Sequence, residues 1–558
     1  MNEQLAPLTP EIILAASAVA GLLAGSWLPR QRQWPIRLLT AAACLAALAF
    51  TAFTLAGTAT VDFGTSYAID VATDTVRIVV AAATLLVICL SAEPLRAHPR
   101  ETEFYVLLQL AALGTIVLAG ANDLLLLFAG YLLASVPGYA LAGFRKDAPG
   151  TEAALKYYLM GALFGVTTLT GITLVYGAGR TTSYPLLHTA LAAAPHGVTA
   201  AGVIAVVAGL MFKAGGVPAH FWVPDVTEGT STPVAAFVTT VPKIGALAAL
   251  LRLLSIAIPA SAVNWPLLIA VLAAASMTLG NLAAFFQTSV KRLLAYSTIS
   301  QVGYLLMAVA VATRSSTAPR SLLFYLAAYA VTNLAAFAVV AELPHARTIA
   351  SYRGLAARHP GLAAVLVVSL LGLVGTPPTA VFLGKLQVFT ATIDGGYGWL
   401  AGLAVVNTVA SLFYYLRWLV PAFLQQPRET GAEALEPAGR WAALVAYTAG
   451  AASLAMGIAA APSCPWSPAP HPLTRLRSPS GPRSRYFGCC ALRAIGQVRG
   501  QEPGHCAVTA SFQAMDGSFV ALMASAGIAV SASAARRCSP VSGAGHNPRH
   551  EAEAATGR

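Results

Sequence analysis

Three lysines in apolar surroundings are the residues of this sequence best placed to do chemistry. Only six Lys stand among 34 basic residues, at positions 146, 156, 213, 243, 291 and 385; all the others are Arg. Against that preference, Lys213, Lys243 and Lys385 fall inside long apolar runs, and Lys156 sits near the start of another. A charge held at bilayer depth costs at least about 2.5–3.5 kcal/mol on insertion scales. Arg keeps its proton under any plausible condition, whereas desolvated Lys can lose it. Buried lysines in an arginine-rich chain therefore point to a proton relay, which needs a cation that can discharge. A single such lysine could equally be snorkelling or structurally paired; three together favour the relay.

The stretches around two of these lysines carry helix breakers. Lys213 is followed by Ala214-Gly215-Gly216-Val217-Pro218-Ala219-His220-Phe221-Trp222-Val223-Pro224-Asp225, and Gly375-Thr376-Pro377-Pro378 precedes Lys385. Interrupted apolar helices, one in each half of a transporter, mark ion sites near the membrane midplane. Pro and Gly free backbone groups that water or side chains must then satisfy. His220, Trp222 and Asp225 lie at the mouth of the first break. His220 titrates in the range where it could pass protons on, though a satisfied interfacial His is as good a reading. Lys291-Arg292 reads as an interfacial anchor, and Arg252 and Arg417 as snorkelling residues near span ends.

The elements that must hold these residues are membrane helices. The chain is 57% hydrophobic and 10% charged, with mean hydropathy +0.68, against about a quarter charged residues in a soluble domain. Apolar stretches of spanning length fall at 11–28, 36–56, 72–92, 104–119, 121–142, 155–176, 199–217, 233–256, 265–285, 293–312, 321–341, 361–391, 397–420 and 441–460. They lack strict period-two alternation, so they read as helices, not barrel strands. The expectation is an all-α polytopic membrane protein of about fourteen spans, with spans 7 and 12 broken. The first span reads as retained, not as a cleaved signal. Arg and Lys gather in the loops after odd-numbered spans, while 57–71 has two Asp and no base; Arg180, Arg314 and Arg320 are exceptions. The positive-inside rule then puts both termini outside.

The +12 formal charge is no nucleic-acid signal: half of it comes from residues after about 461, where the text turns rich in Arg, Ser, Gly and Cys. That tail, 461–558, reads as a disordered extension or as a frameshifted read-through. Cys44 and Cys89 lie in spans and the other five Cys in the tail, none at metal-ligand spacing.

Several motifs together carry a resemblance. Phe212-Lys213 through Val226, then Pro242-Lys243-Ile244, is similar to the antiporter-type core of NADH-quinone oxidoreductase (respiratory complex I). So are Lys291-Arg292-Leu293-Leu294-Ala295-Tyr296-Ser297-Thr298-Ile299-Ser300-Gln301-Val302-Gly303-Tyr304 and Gly375-Thr376-Pro377 through Lys385. Glu103-Phe104-Tyr105, Ala121-Asn122-Asp123-Leu124 and Glu152 through Tyr157 resemble the subunit N family more than its relatives L and M. The likeness covers about residues 1–460. It implies three N-terminal spans (1–103) before a proton-translocating core with the last span (104–460), and two inverted five-helix repeats over spans 4–8 and 9–13. It also implies Lys213 as central relay lysine, Lys243 as link between half-channels and Lys385 as terminal lysine, with His220 and Lys156 accessory.

No cofactor or metal is expected in this chain; NADH, FMN, iron–sulfur clusters and quinone belong to the assembled complex. Expected partners are the antiporter-like neighbour M, the small membrane subunits and the lipid bilayer of a bacterial-type cell membrane, not nucleic acid. Two positions depart from the family pattern. Leu132 stands where span 5 usually carries a glutamate paired with the first lysine, and Gln301 where His is common. Two other functions share the fold: a subunit of a multi-subunit cation/proton antiporter, and a structural subunit that does not pump.

Overall fold

The computed structural model describes residues 6–54, 60–62, 66–424 and 435–460. The tail beyond 460, with its expected extension or frameshift, lies outside the described residues. The first helices are α1 (Thr9–Trp27) and α2 (Trp34–Thr54), followed by a two-stranded antiparallel ribbon of β1 (Thr60–Asp62) and β2 (Tyr67–Ile69). Then come α3 (Val71–Ser91), α4 (Glu101–Gly120), α5 (Leu124–Ala142), α6 (Ala148–Gly179) and the short α7 (Tyr184–Leu191). Next are α8 (His196–Ala214), α9 (Trp222–Gly229), α10 (Thr232–Arg252), α11 (Trp265–Ala284), α12 (Val290–Ala310) and α13 (Ala318–Glu342). The last are α14 (Leu355–Arg358), α15 (Pro360–Val374), α16 (Ala380–Asp394), α17 (Gly398–Leu424) and α18 (Arg440–Ala460).

Thirteen of these helices are long and apolar enough to cross a membrane among the described residues. The pair α15 and α16 supplies the remaining crossing, so the order matches fourteen spans, with α8/α9 and α15/α16 as the broken seventh and twelfth. Helix α6 overruns its apolar stretch. It starts at Ala148, N-capped by the Asp147 carboxylate, which accepts from Gly150 N–H, and runs 32 residues. At about 1.5 Å per residue it exceeds the roughly 30 Å hydrocarbon layer, so hydropathy marks the lipid-facing part and misses the polar first turns.

Every residue of the hydrophobic window of α10 is buried, as are nearly all of those of α12 and α13. These three helices form the centre and bear Lys243, Gln301 and Tyr329. Glycines bring outer pairs together. A Cβ on Gly114 or Gly130 would come within 3.0 Å of the facing α5 or α4 backbone, and one on Gly280 or Gly303 would do so between α11 and α12. The close pair and the broken helix both recur five crossings later.

The polar ends sort into two belts. At one end Arg37 pairs with Glu101, Arg100 donates to Phe144 O, Lys156 and Arg292 pair with Asp225, and Arg440 N–H donates to Glu93. At the other, Arg77 grips Glu11 through two donors at 2.7 and 2.8 Å and also pairs with Asp74, while Tyr67 donates to Glu11. Arg252 does not snorkel. It is buried and donates to Asp70 at 2.7 Å, to Thr73 Oγ1 and to Ala119 O, because it ends the most enclosed helix and meets an acid before it meets lipid. Arg417 is exposed and donates to Phe285 O.

Candidate functional site

Helix α8 ends where Gly215 takes φ +75°, and α15 where Gly375 takes φ +94°. Both endings follow the same C-terminal motif. Gly216 N–H returns to Met211 O and Thr376 N–H to Leu371 O, five residues back in each case. Only glycine adopts such φ values without strain. The two breaks differ in what closes them. At the first, Trp222 Nε1–H donates to Phe212 O at 3.0 Å and Ser276 Oγ accepts from Val217 N–H, also at 3.0 Å. Trp222 stacks on Tyr157, with ring centroids 4.3 Å apart, and this aromatic packing holds α9 against α6. At the second, Lys385 itself donates to Leu373 O at 3.2 Å and Val374 O at 2.8 Å.

Each buried lysine has a distinct set of uncharged partners. Lys213 donates to Ser135 Oγ at 2.6 Å, and its Nζ stands 5.5 Å from the Tyr131 ring centroid. Lys243 donates to Thr298 O at 3.0 Å and Tyr329 Oη at 3.2 Å; Tyr329 in turn donates to Thr239 O. Lys385 adds the face of Tyr304, with Nζ 4.0 Å from the ring centroid. None of the three is in an ion pair among the described residues. Their partners are backbone carbonyls, hydroxyl oxygens and ring faces.

Gln301 joins two of these positions through α12. Its Nε2 donates to Leu373 O at 2.8 Å, the same carbonyl that Lys385 uses, and its Oε1 accepts from Tyr325 Oη at 2.6 Å. Three residues earlier on α12, Thr298 O accepts from Lys243. One helix thus touches the surroundings of both lysines. Gln301 keeps hydrogen-bond continuity there but, unlike His, does not titrate.

The remaining expected residues lie apart from this centre. Leu132 is 41% exposed on the outside of the chain, while its neighbours Tyr131 and Ser135 face Lys213. Lys156 is half exposed at the end of the bundle, pairing with Glu152 and Asp225 at 2.8 Å each. His220 is buried in the first break, and among the described residues its Nδ1 has no hydrogen-bond partner. Lys291 donates to Glu228 O and Thr230 O at the end of α9, and Arg292 pairs with Asp225 at its start. Both side chains thereby hold α9. In the sequence Thr298 and Tyr304 stand out only as members of the Lys291–Tyr304 motif, and nothing there singles out Ser135 and Tyr329 as partners of the lysines.

A family model described as NADH:quinone oxidoreductase/Mrp antiporter, TM, matches residues 121–411. NADH-quinone oxidoreductase subunit N 1 of Streptomyces griseus is 58% identical over 458 residues, 82% of this chain and 96% of that protein. Subunit N of a Mycobacterium species is 52% identical over 452 residues, 81% of this chain and 96% of that protein. Among solved structures, a chain of respiratory complex I from Thermus thermophilus with bound aureothin aligns at TM-score 0.69 and 34% identity, covering 80% of this chain and 97% of that one. A chain of the Mrp complex from a Dietzia species, at 22% identity, shares the fold: TM-score 0.70, 82% of this chain and 94% of that one. With this likeness running over some four-fifths of its length, and with thirteen membrane-length helices and two interrupted ones among its described residues, the chain belongs to the NADH-quinone oxidoreductase subunit N family of antiporter-like membrane subunits.

Proposed function

We propose that this subunit moves protons across the membrane through Lys213, Lys243 and Lys385, driven by redox energy released in other subunits of the complex. The observation that carries this reading is the way α12 links Lys243 to Lys385, through Thr298 O on one side and Gln301 with the shared Leu373 carbonyl on the other. Lys213 enters from the first break and rests on Ser135. His220 and Lys156, nearer the bundle end, serve proton access. The flavin, iron–sulfur clusters, NADH and quinone bind in partner subunits, and the neighbours in the membrane are an M-type antiporter-like subunit and the small membrane subunits. The α4–α10 and α11–α17 segments are the two inverted repeats, set on an N-terminal unit of three spans. The basic end faces the cytoplasm, which leaves both termini outside.

The test is Lys243→Ala in the complex reconstituted into vesicles. Proton-to-electron ratio should fall while the complex still assembles. An unchanged ratio in Lys243→Ala and Lys385→Ala alike would favour the structural, non-pumping reading, for which Leu132 in place of a glutamate is the supporting observation.

A further inference from the structure

At the basic end of the bundle, the starts of α2, α4 and α18 and the end of α3 enclose a cleft of about 670 Å³. Three guanidiniums line it, those of Arg37, Arg96 and Arg440, against two carboxylates, Glu93 and Glu101. Glu93 is committed to the backbone of α18, and Glu101 is buried with, among the described residues, only the Arg37 guanidinium near it. Glu93 Oε1 accepts from the backbone N–H of Arg440 at 2.6 Å and of Trp441 at 3.3 Å, capping α18. Glu101 is buried 3.7 Å from Arg37, which also donates to Ala92 O. Arg96 and Arg440 make no side-chain ion pair among the described residues. Among the described residues the cleft therefore keeps two guanidiniums without an ion-pair partner, and guanidiniums recognise phosphate through parallel donors.

Two tryptophans give the cleft its second character. Trp34 and Trp441 line it where α2 and α18 begin, and they are 51% and 44% exposed. Indoles at the first turn of apolar spans sit at headgroup depth. Basic pockets between spans on the cytoplasmic side bind anionic headgroups. We propose that this cleft binds the phosphate diester of an anionic phospholipid, with Arg96 and Arg440 on the phosphate and Trp34 and Trp441 beside the glycerol and upper acyl chains. A free phosphate offers the guanidiniums the same oxygens, but it leaves both indoles without a role.

The test uses the whole membrane complex, purified through a tag on this chain, and counts bound phosphatidylglycerol by mass spectrometry during exchange against phosphatidylcholine. Arg96→Gln/Arg440→Gln should bind the site's phosphatidylglycerol about 30-fold more weakly. Arg96→Lys/Arg440→Lys should retain most of it, and Arg180→Gln, at the opposite end of the bundle, should match the wild type. Where the double variant does not assemble, Arg96→Gln alone, an exposed loop change, carries the measurement. Equal retention in the Gln variants and wild type overturns the proposal. So does equal preference for phosphatidylcholine. Arginine-dependent binding of radiolabelled inorganic phosphate, with no change in lipid count, overturns the lipid assignment in favour of a small-anion site.

Discussion

Lys385 shows how one residue can be read for its chemistry and for its support at once. Its ammonium donates to two backbone carbonyls and lies over Tyr304. An arginine there would keep the charge and bring more donors, yet would not discharge, since its pKa lies above about 12. Lys385→Arg should therefore assemble and still lose proton translocation, measured as the proton-to-electron ratio in vesicles; wild-type pumping in this variant would sink the relay. At the first lysine, Ser135 lies within 2.6 Å of Nζ, whereas Leu132 starts from the exposed outer face. Ser135→Asp should pin Lys213 in its charged form and slow pumping, while Leu132→Glu should change the same ratio far less. The lysines were legible because Lys is rare here and apolar runs are long. Their partners were not: several are backbone carbonyls, which every residue supplies, and Lys213 and Ser135 stand 78 positions apart.

The broken helices were legible as elements, because Gly and Pro punctuate spans 7 and 12 plainly. What the sequence did not reveal is their inequality, with Trp222 and Ser276 closing one and Lys385 closing the other. Gly215→Ala and Gly375→Ala should each destabilise by about 1–2 kcal/mol, the cost of a left-handed non-glycine residue, read as a lower unfolding temperature. Gly375→Ala should also impair pumping more, since its Cβ would stand 2.9 Å from Lys385 Cδ. The start of α3 gives a pH prediction. Burial pushes the Asp70 carboxyl up, but the hydrogen bond and charge of Arg252, with help from Thr73, outweigh it and hold the group below its ordinary value. The stabilisation is thus fully present above the ordinary value near pH 3.9 and is lost as pH falls through the lower folded value. Asp70→Asn should lower stability by about 1–2 kcal/mol at pH 7, less than the 3–5 kcal/mol of a fully buried pair because Asp70 is a third exposed. The difference from wild type should persist unchanged down to pH 5.

For the molecule as a whole, span number and order could be read from apolar length, and the gathering of basic loops at one end from alternation. Which helices form the centre could not, because a helix apolar all round looks the same whether protein or lipid surrounds it; α10 and α2 are equally apolar by eye. Sidedness is open to direct measurement. Cysteines placed at Arg32 and at Ser261 should react with a membrane-impermeant maleimide from opposite sides of sealed vesicles, position 261 from the periplasmic side. Finally, the seat of Lys385 on the last carbonyls of α15 ties electricity to mechanics. A neutral amine still donates hydrogen bonds, but its charge–dipole attraction to a helix terminus is gone. On the proposed relay, each discharge at this lysine would loosen the joint of a two-piece helix packed against α13 and α18, and the proton's departure would act as a latch whose state its neighbours can feel.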